Sequence, residues 1–188
     1  TSTRIEHARI HRATESIQQV ATIEKQPVKL LLRNIMAGHS VILKSRLHNC
    51  RPVGIGKGLK IKVNANIGTS NKSMDIEKEL QKLQAALKYG SDTIMDLSTG
   101  GDIDAVRCRI IKESPVPVGT VPIYQVITEK PRVEDIKEGD FLRGIQRHIQ
   151  DGVDFITVHC GLTRATIPLL KDRLLGVVSR GGSLLVKW

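Results

Sequence analysis

From Lys60 onward one unit recurs: a short apolar run, a polar or glycine-bearing loop, then an amphipathic helix pattern. This recurrence constrains the fold more than any other feature. Ile61–Ser70 alternates apolar and polar residues before breaking into Asn, Gly and Ser, so Lys60–Ala65 reads as a strand that hands over to a loop. Asp75–Tyr89 then spaces Ile76, Leu80, Leu83 and Leu87 on one helical stripe, with acids at its start and Gly90 at its exit. The plan repeats four times more. Strand two is Thr93–Leu97, followed by a helix from Asp102 carrying Ile103, Val106 and Ile110. Strand three runs from Gly119 to Tyr124, followed by a helix over Asp140–Asp151 with Phe141, Ile145 and Ile149 inward. Strand four is Phe155–His159, with a poorer helix over Thr163–Leu174 because Pro168 fits only a first turn or a kink. Strand five is Gly176–Val178, and Leu184–Trp188 opens the next helix. Such alternation predicts an α/β fold with a parallel sheet and right-handed crossovers.

Two architectures satisfy that pattern, a doubly wound open sheet or part of a (β/α)8 barrel. A whole barrel takes ~250 residues and about 130 follow Gly58, so the barrel reading covers half of one or slightly more. Residues 1–58 differ in character. Ile5, Ala8, Ile17 and Ala21 fall at helical intervals, Leu30–Met36 is a second helical run closed by Gly38, and Val41–Leu43 is a short strand candidate. Arg51–Gly58 is rich in breakers and reads as a connector. The expected organisation is a mostly helical segment over 1–58 and a β/α portion over 59–188.

Composition narrows the function classes. No apolar run reaches the roughly 18 residues of a membrane span and no signal peptide opens the chain, so a cytoplasmic protein is expected. Cys50, Cys108 and Cys160 are too far apart for a disulfide framework or a CxxC knuckle, and fit reduced thiols packed as small hydrophobes. The net charge of +10 suits nucleic acid, a membrane surface or a phosphorylated small molecule. Aromatics are only 3% of the residues, which argues against a stacking platform for single strands, so nucleic acid is not the expected partner.

The strand assignments bring Asn66, Met95, Tyr124, His159 and the run Ser179, Arg180, Gly181 to one carboxyl rim, where α/β folds collect ligand-binding groups. Taken singly, each has two readings. Asn66 recognises a polar ligand or caps its loop, and Met95 fits core padding. Tyr124 offers an aromatic wall and a hydroxyl, or is a half-buried structural side chain. His159 donates a hydrogen bond, relays a proton or binds a metal, or is a satisfied structural histidine. Thr99–Asp102 and Ser179–Gly182 are glycine-rich turns ahead of helices whose amides suit phosphate, although neither matches a P-loop or GxGxxG. Asp96 alternates to the opposite face from Met95 and reads as structural.

Several ordered motifs are also familiar: Lys62–Ser70, Met95–Gly100, Ser114–Gln125, Thr157–His159 and Val178–Ser183. Together they resemble the ThiC family, the phosphomethylpyrimidine synthases of thiamine biosynthesis, from about Gly54 onward. The resemblance implies a (β/α)8 barrel, usually a homodimer, that rearranges 5-aminoimidazole ribotide by S-adenosylmethionine radical chemistry on a [4Fe-4S] cluster. It further implies that Asn66, Met95, Tyr124, His159, Ser179, Arg180 and Gly181 line the ribotide site. That moves Met95 and His159 from structural to ligand-facing. The family's CxxCxxxxC motif and its metal-binding histidines, which carry the cluster and a zinc-site divalent metal, do not occur in these 188 residues. The chain alone is therefore expected to be inactive, as part of a longer enzyme. The family's hydroxybenzimidazole synthases, which use the same ribotide for a cobamide lower ligand, fit the retained motifs equally. From another class, a non-catalytic basic module binding RNA or a phosphorylated metabolite is the alternative.

Overall fold

The computed structural model describes residues 3–188. Three helices come first: α1 (Arg4–Arg9), α2 (Glu15–Ile23) and α3 (Val28–Met36). The sequence pattern predicts two. Helix α1 opens with a capping box, in which Thr3 Oγ1 accepts from the Glu6 amide while Glu6 accepts from the Thr3 amide. Gly38 takes φ +71 after α3, the left-handed turn that its position predicts. Arg51–Gly58, read as a connector, contains β2 (Val53–Gly56), which pairs antiparallel with β1 (Ser40–Leu43). Its glycines serve close approach rather than chain breaking. A Cβ on Gly54 would lie 2.5 Å from Val20 Cγ1, and one on Gly56, at φ +131, would lie 2.1 Å from the His39 carbonyl oxygen. Ala8, Ile17, Val20, Leu31, Ile35 and Ile42 close the core between the helices and this hairpin.

The second part is a four-stranded parallel sheet in the order β3 (Asn64–Ile67), β4 (Thr93–Asp96), β5 (Val118–Thr120) and β6 (Phe155–Ile156). Sequential order without reversal excludes a switch point among the described strands. Helices α4 (Ile76–Lys88) and α5 (Ile103–Glu113) pack on one face, where Leu80, Leu83, Val106 and Ile110 meet Ile67, Ile94 and Val118. Asp75 caps α4 with hydrogen bonds from the Glu77 and Lys78 amides, and Asp102 caps α5 with one from Ala105.

Several boundaries differ from the sequence reading. Strand one begins at Asn64 rather than Lys60, because Asp92 accepts the Val63 amide and leaves Ile61 almost fully exposed. Strand three ends at Thr120, and Pro122–Thr128 forms α6 with the proline in its first turn. Helix α7 (Glu138–Gln150) buries His148 rather than Ile149, which is 57% exposed. Strand four stops at Ile156. No fifth strand forms at 176–178 among the described residues, where Val178 is 78% exposed. Pro168 does sit in the first turn of a short 3-10 helix, Ile167–Asp172, and the last helix, α8, runs over Arg180–Lys187. No described helix is long and apolar enough to cross a membrane.

Candidate ligand site at the carboxyl ends of the strands

The parallel register aligns Asn66 with Met95, Met95 with Gly119 and Gly119 with Phe155. Residues paired across a parallel sheet face the same side, so this row lies opposite the face that α4 and α5 cover. Asn66 is exposed, and its Oδ1 accepts from Asn64 Nδ2 at 3.2 Å, while Asn64 Oδ1 accepts from Thr93 Oγ1 at 2.8 Å. Met95 is buried in an apolar cluster with Val121, Ile123, Tyr124, Phe155 and Leu185. It packs as core padding does, on the sheet face opposite α4 and α5. Gly119 makes room for Phe155, because a Cβ there would fall 2.3 Å from the ring.

Tyr124 arrives on α6 rather than at a strand end. It still reaches the same cluster, half-buried, and the Arg180 guanidinium carbon lies 5.7 Å from its ring centroid, within cation–π range. Ser179 is the N-cap of α8 and accepts from the Gly182 amide at 3.2 Å. Arg180–Gly182 are therefore the first turn of a helix, not a loop ahead of one. Gly181 is buried against His159, and a Cβ would come 2.1 Å from Cε1 and 2.3 Å from Nε2. His159 Nδ1 is itself buried and has no hydrogen-bond partner among the described residues. Tyr124, His159, Arg180 and Gly181 are thus brought together, with Met95 in the same cluster as Tyr124. Asn66 stands one strand from Met95 on the same face.

Two strand-to-helix loops form the lip beside Asn66. The Thr69 amide donates to Ser98 Oγ at 3.0 Å, Thr69 Oγ1 donates to the Gly100 carbonyl at 2.6 Å, and the Thr99 amide donates to the Thr69 carbonyl at 2.9 Å. Gly100 abuts the Ser70–Asn71 backbone so closely that a Cβ would lie 2.5 Å from it. The fully buried Glu79 anchors the first loop from below, accepting from the Gly68 amide at 2.7 Å and from Lys82 Nζ at 2.6 Å. Asp96 faces the helices, where Ser98 donates to it with both its amide and its hydroxyl, and burial raises its pKa. Its structural reading agrees with that position.

The other polar centres lie away from this rim. A cleft of about 1500 Å3 opens between the amino-terminal helices and Pro115, ahead of β5, and Arg4 and Lys44 are among the residues that line it. Both cations are spent on the backbone: Arg4 donates to the Ile42 and Lys44 carbonyls, and Lys44 to those of His48 and Cys50. Beneath them His48, Cys50 and Asp154 form the only group of three potential metal-ligating side chains among the described residues. His48 Nδ1 meets Asp154 Oδ2 at 2.5 Å and its Nε2 meets the Ser114 carbonyl at 2.8 Å. Burial disfavours the charged ring, yet hydrogen bonds with Asp154 and then Cys50 outweigh it and raise the His48 pKa to about 10. In this arrangement both His48 nitrogens face oxygen acceptors, so His48 and Asp154 form an ionic staple. Cys50 is buried here as expected of a small hydrophobe, whereas Cys108 and Cys160 are exposed.

Sequence reasoning passed over Asn64 and Phe155, although strand alternation places Asn64 on the same side as Asn66. It also passed over the fully buried Arg107, whose partners Gln125 and Asp151 are distant in the chain.

The sequence model of the radical SAM ThiC family matches residues 3–188. The chain is 48% identical over 192 residues to a phosphomethylpyrimidine synthase of Thermodesulfovibrio yellowstonii, covering 99% of this chain and 45% of that protein. It is 44% identical over 193 residues to the synthase of Pyrococcus furiosus, with the same shares covered. Against that of Geobacter metallireducens it is 45% identical over 195 residues, covering 100% and 45%. The chain spans less than half the length of these curated relatives.

Proposed function

Because the chain belongs to the radical SAM ThiC family, we propose that it forms the ribotide-binding part of a phosphomethylpyrimidine synthase. The complete protein would convert 5-aminoimidazole ribotide into 4-amino-5-hydroxymethyl-2-methylpyrimidine phosphate for thiamine, as a homodimer. The four parallel strands are read as the opening strands of a (β/α)8 barrel. Their sequential order, with α4 and α5 on the same face, supports that winding.

The observation that carries the reading is His159 Nδ1. A buried ring nitrogen left without a partner is costly, and here the ring lies against Gly181, whose sequence neighbour Arg180 is parked on the Tyr124 face. A ligand hydrogen bond would satisfy it. In this reading Met95 and Tyr124 wall the imidazole and ribose, while Asn66 and His159 orient them. Arg180, with the amides of the Ser179–Gly181 turn, meets the phosphate oxygens.

The family also implies S-adenosylmethionine, a [4Fe-4S] cluster and a divalent metal. The residues of this chain do not fit the latter two. Cys50 lies in the ionic staple with His48, while Cys108 and Cys160 are exposed and belong to no group of ligating side chains among the described residues. The ligands of the cluster and of the metal are accordingly assigned to residues outside these 188. The part derived for this chain is binding and orientation.

Calorimetric titration of the complete protein with 5-aminoimidazole ribotide tests the assignment. His159→Ala and Asn66→Ala should each weaken affinity by ~10- to 100-fold, the size of one or two lost hydrogen bonds. Retention on RNA, a salt-dependent surface property, should not change. Unchanged ribotide affinity in both variants would sink the reading. Product mass after anaerobic turnover separates the pyrimidine from hydroxybenzimidazole.

A further inference from the structure

Beneath the site lies a buried polar network that the proposed function does not use. Arg107 of α5 is completely buried and fully engaged. Its Nε donates to Asp151 Oδ2 at 3.0 Å and its Nη1 to Gln125 Oε1 at 2.7 Å, while Nη2 serves both Asp151 and Asp104. Gln125 is as completely used. Its Nε2 donates to Asp104 Oδ1 at 2.9 Å and Glu129 Oε1 at 3.0 Å, which fixes the orientation of the amide. Its oxygen therefore faces His148 Nε2 at 2.9 Å, with Arg107 Nη1 3.2 Å from the same nitrogen, and His148 Nδ1 is hydrogen-bonded to Thr120 Oγ1 at 2.7 Å. Burial and then the Arg107 charge push the His148 pKa down to about 3, so the ring stays neutral in this arrangement.

The network joins α5, β5, α6 and α7 at one point, and Gln125 is its only member on α6. Helix α6 is seven residues long and begins two positions after β5 ends, too short to hold an orientation by propensity. Successive residues on a helix point about 100° apart. Gln125 therefore turns into the network while the adjacent Tyr124 turns into the apolar cluster under Arg180.

We propose that Arg107 and Gln125 are positioning residues. They clamp α6 against β5 and α7 and thereby set where the Tyr124 ring stands in the site. The step from ring placement to ligand affinity rests on the reading that Tyr124 lines the ribotide site; the clamp itself does not.

The test uses the complete protein labelled with 3-fluorotyrosine, with the Tyr124 resonance identified by its loss in Tyr124→Phe. Gln125→Met, similar in length but without the amide, should shift or broaden the Tyr124 resonance and leave that of the exposed Tyr89 in place. Ribotide affinity should fall about tenfold, as expected when a wall of the site moves by a fraction of an ångström to an ångström. With Tyr124→Ala already in place, Gln125→Met should cause no further loss of affinity, while the fall in melting temperature should be similar in both backgrounds. If Gln125→Met does not fold, Thr120→Val, which removes only the hydroxyl on His148, takes its place under the same criteria. A Tyr124 resonance that stays put in a folded variant overturns the clamp, and so does an equal affinity loss in both backgrounds. If Tyr124→Ala leaves ribotide affinity unchanged while the resonance still moves, the site reading fails and the clamp stands.

Discussion

The imidazole of His159 lies directly against the Cα of Gly181, with ring atoms inside the volume a Cβ would need. Gly181→Ala should therefore push the ring out of its place without disrupting the fold, since the displaced group is the tip of a rotatable side chain. The new methyl sits in the first turn of α8, where alanine is the better helix former, so stability should stay within about 1 kcal/mol. Ribotide affinity of the complete protein should fall about tenfold or more, the worth of a hydrogen bond in a dry site. Gly176→Ala, where a Cβ meets nothing within 4 Å, is the control and should leave calorimetric affinity unchanged.

A β/α period made the convergence of Tyr124, His159, Arg180 and Gly181 an expectation, but the structure reaches it by another route: Tyr124 comes from α6 and Arg180 and Gly181 from the first turn of α8, with no fifth strand among the described residues. The helices at Ile76–Lys88 and Ile103–Glu113 were readable because their apolar stripes are long and capped. Short elements were not. The segment that becomes α6 is rich in β-branched and aromatic residues, so Ile-Tyr-Gln-Val-Ile prolongs a strand pattern until Pro122 at the first turn is given its helical meaning. The β1–β2 hairpin was hidden by glycines that a connector and a close-packed strand share. The Arg107 clamp and the His48 staple were illegible because Gln125 and Asp151 lie 18 and 44 residues from Arg107, and Asp154 lies 106 residues from His48. Only the fold brings them within hydrogen-bonding distance.

The His48–Asp154 pair fastens the loop after β1 to the start of β6, and its pH dependence has a defined sign. His48 is raised from 6.5 to about 10, so its contribution is complete below pH 6.5 and is lost as pH rises through about 10. Asp154 is lowered from 3.8: burial opposes the shift, but hydrogen bonds from His48, Ser45 and Val118 outweigh it. Its share is present above 3.8 and lost on acidification through its lower folded value. Urea midpoints measured from pH 6 to 10 should fall in the parent protein and fall less steeply in His48→Gln. His48→Ala, which strands a buried carboxylate, should cost about 3–5 kcal/mol at neutral pH. Parallel pH profiles for parent and variant would show that the pair carries no such linkage.

Glu79 offers a second stability test close to the site. Its carboxylate is wholly buried and holds the Gly68 amide, where the chain takes φ +139 and runs within van der Waals distance of the Leu97–Ser98 backbone. Glu79→Ala removes the acceptor and opens a cavity under the loop, and should destabilise by about 2–4 kcal/mol in denaturant titration. Glu79→Gln keeps an acceptor for the Gly68 amide while losing the ion pair with the half-exposed Lys82, and should cost less than half as much. Equal losses would assign the stabilisation to the ion pair rather than to the loop anchor.

The contact of Phe155 with Gly119 makes the sharpest packing prediction, because it links two strands through a missing side chain. Gly119→Ala places a methyl where the ring now stands, 2.3 Å away, and the ring is also packed against Met95, so relief requires either strand separation or a strained rotamer. Overpacking of this kind costs about 1–3 kcal/mol. Phe155→Leu alone leaves part of the ring volume empty and costs a similar amount. Combined, the methyl enters the space that the ring vacates. The double variant should be more stable than the sum of the two losses by about 0.5–3 kcal/mol, read from urea unfolding of all four proteins. Strict additivity would mean that the ring moves aside freely. Met95 would then stand in a looser wall than this register describes.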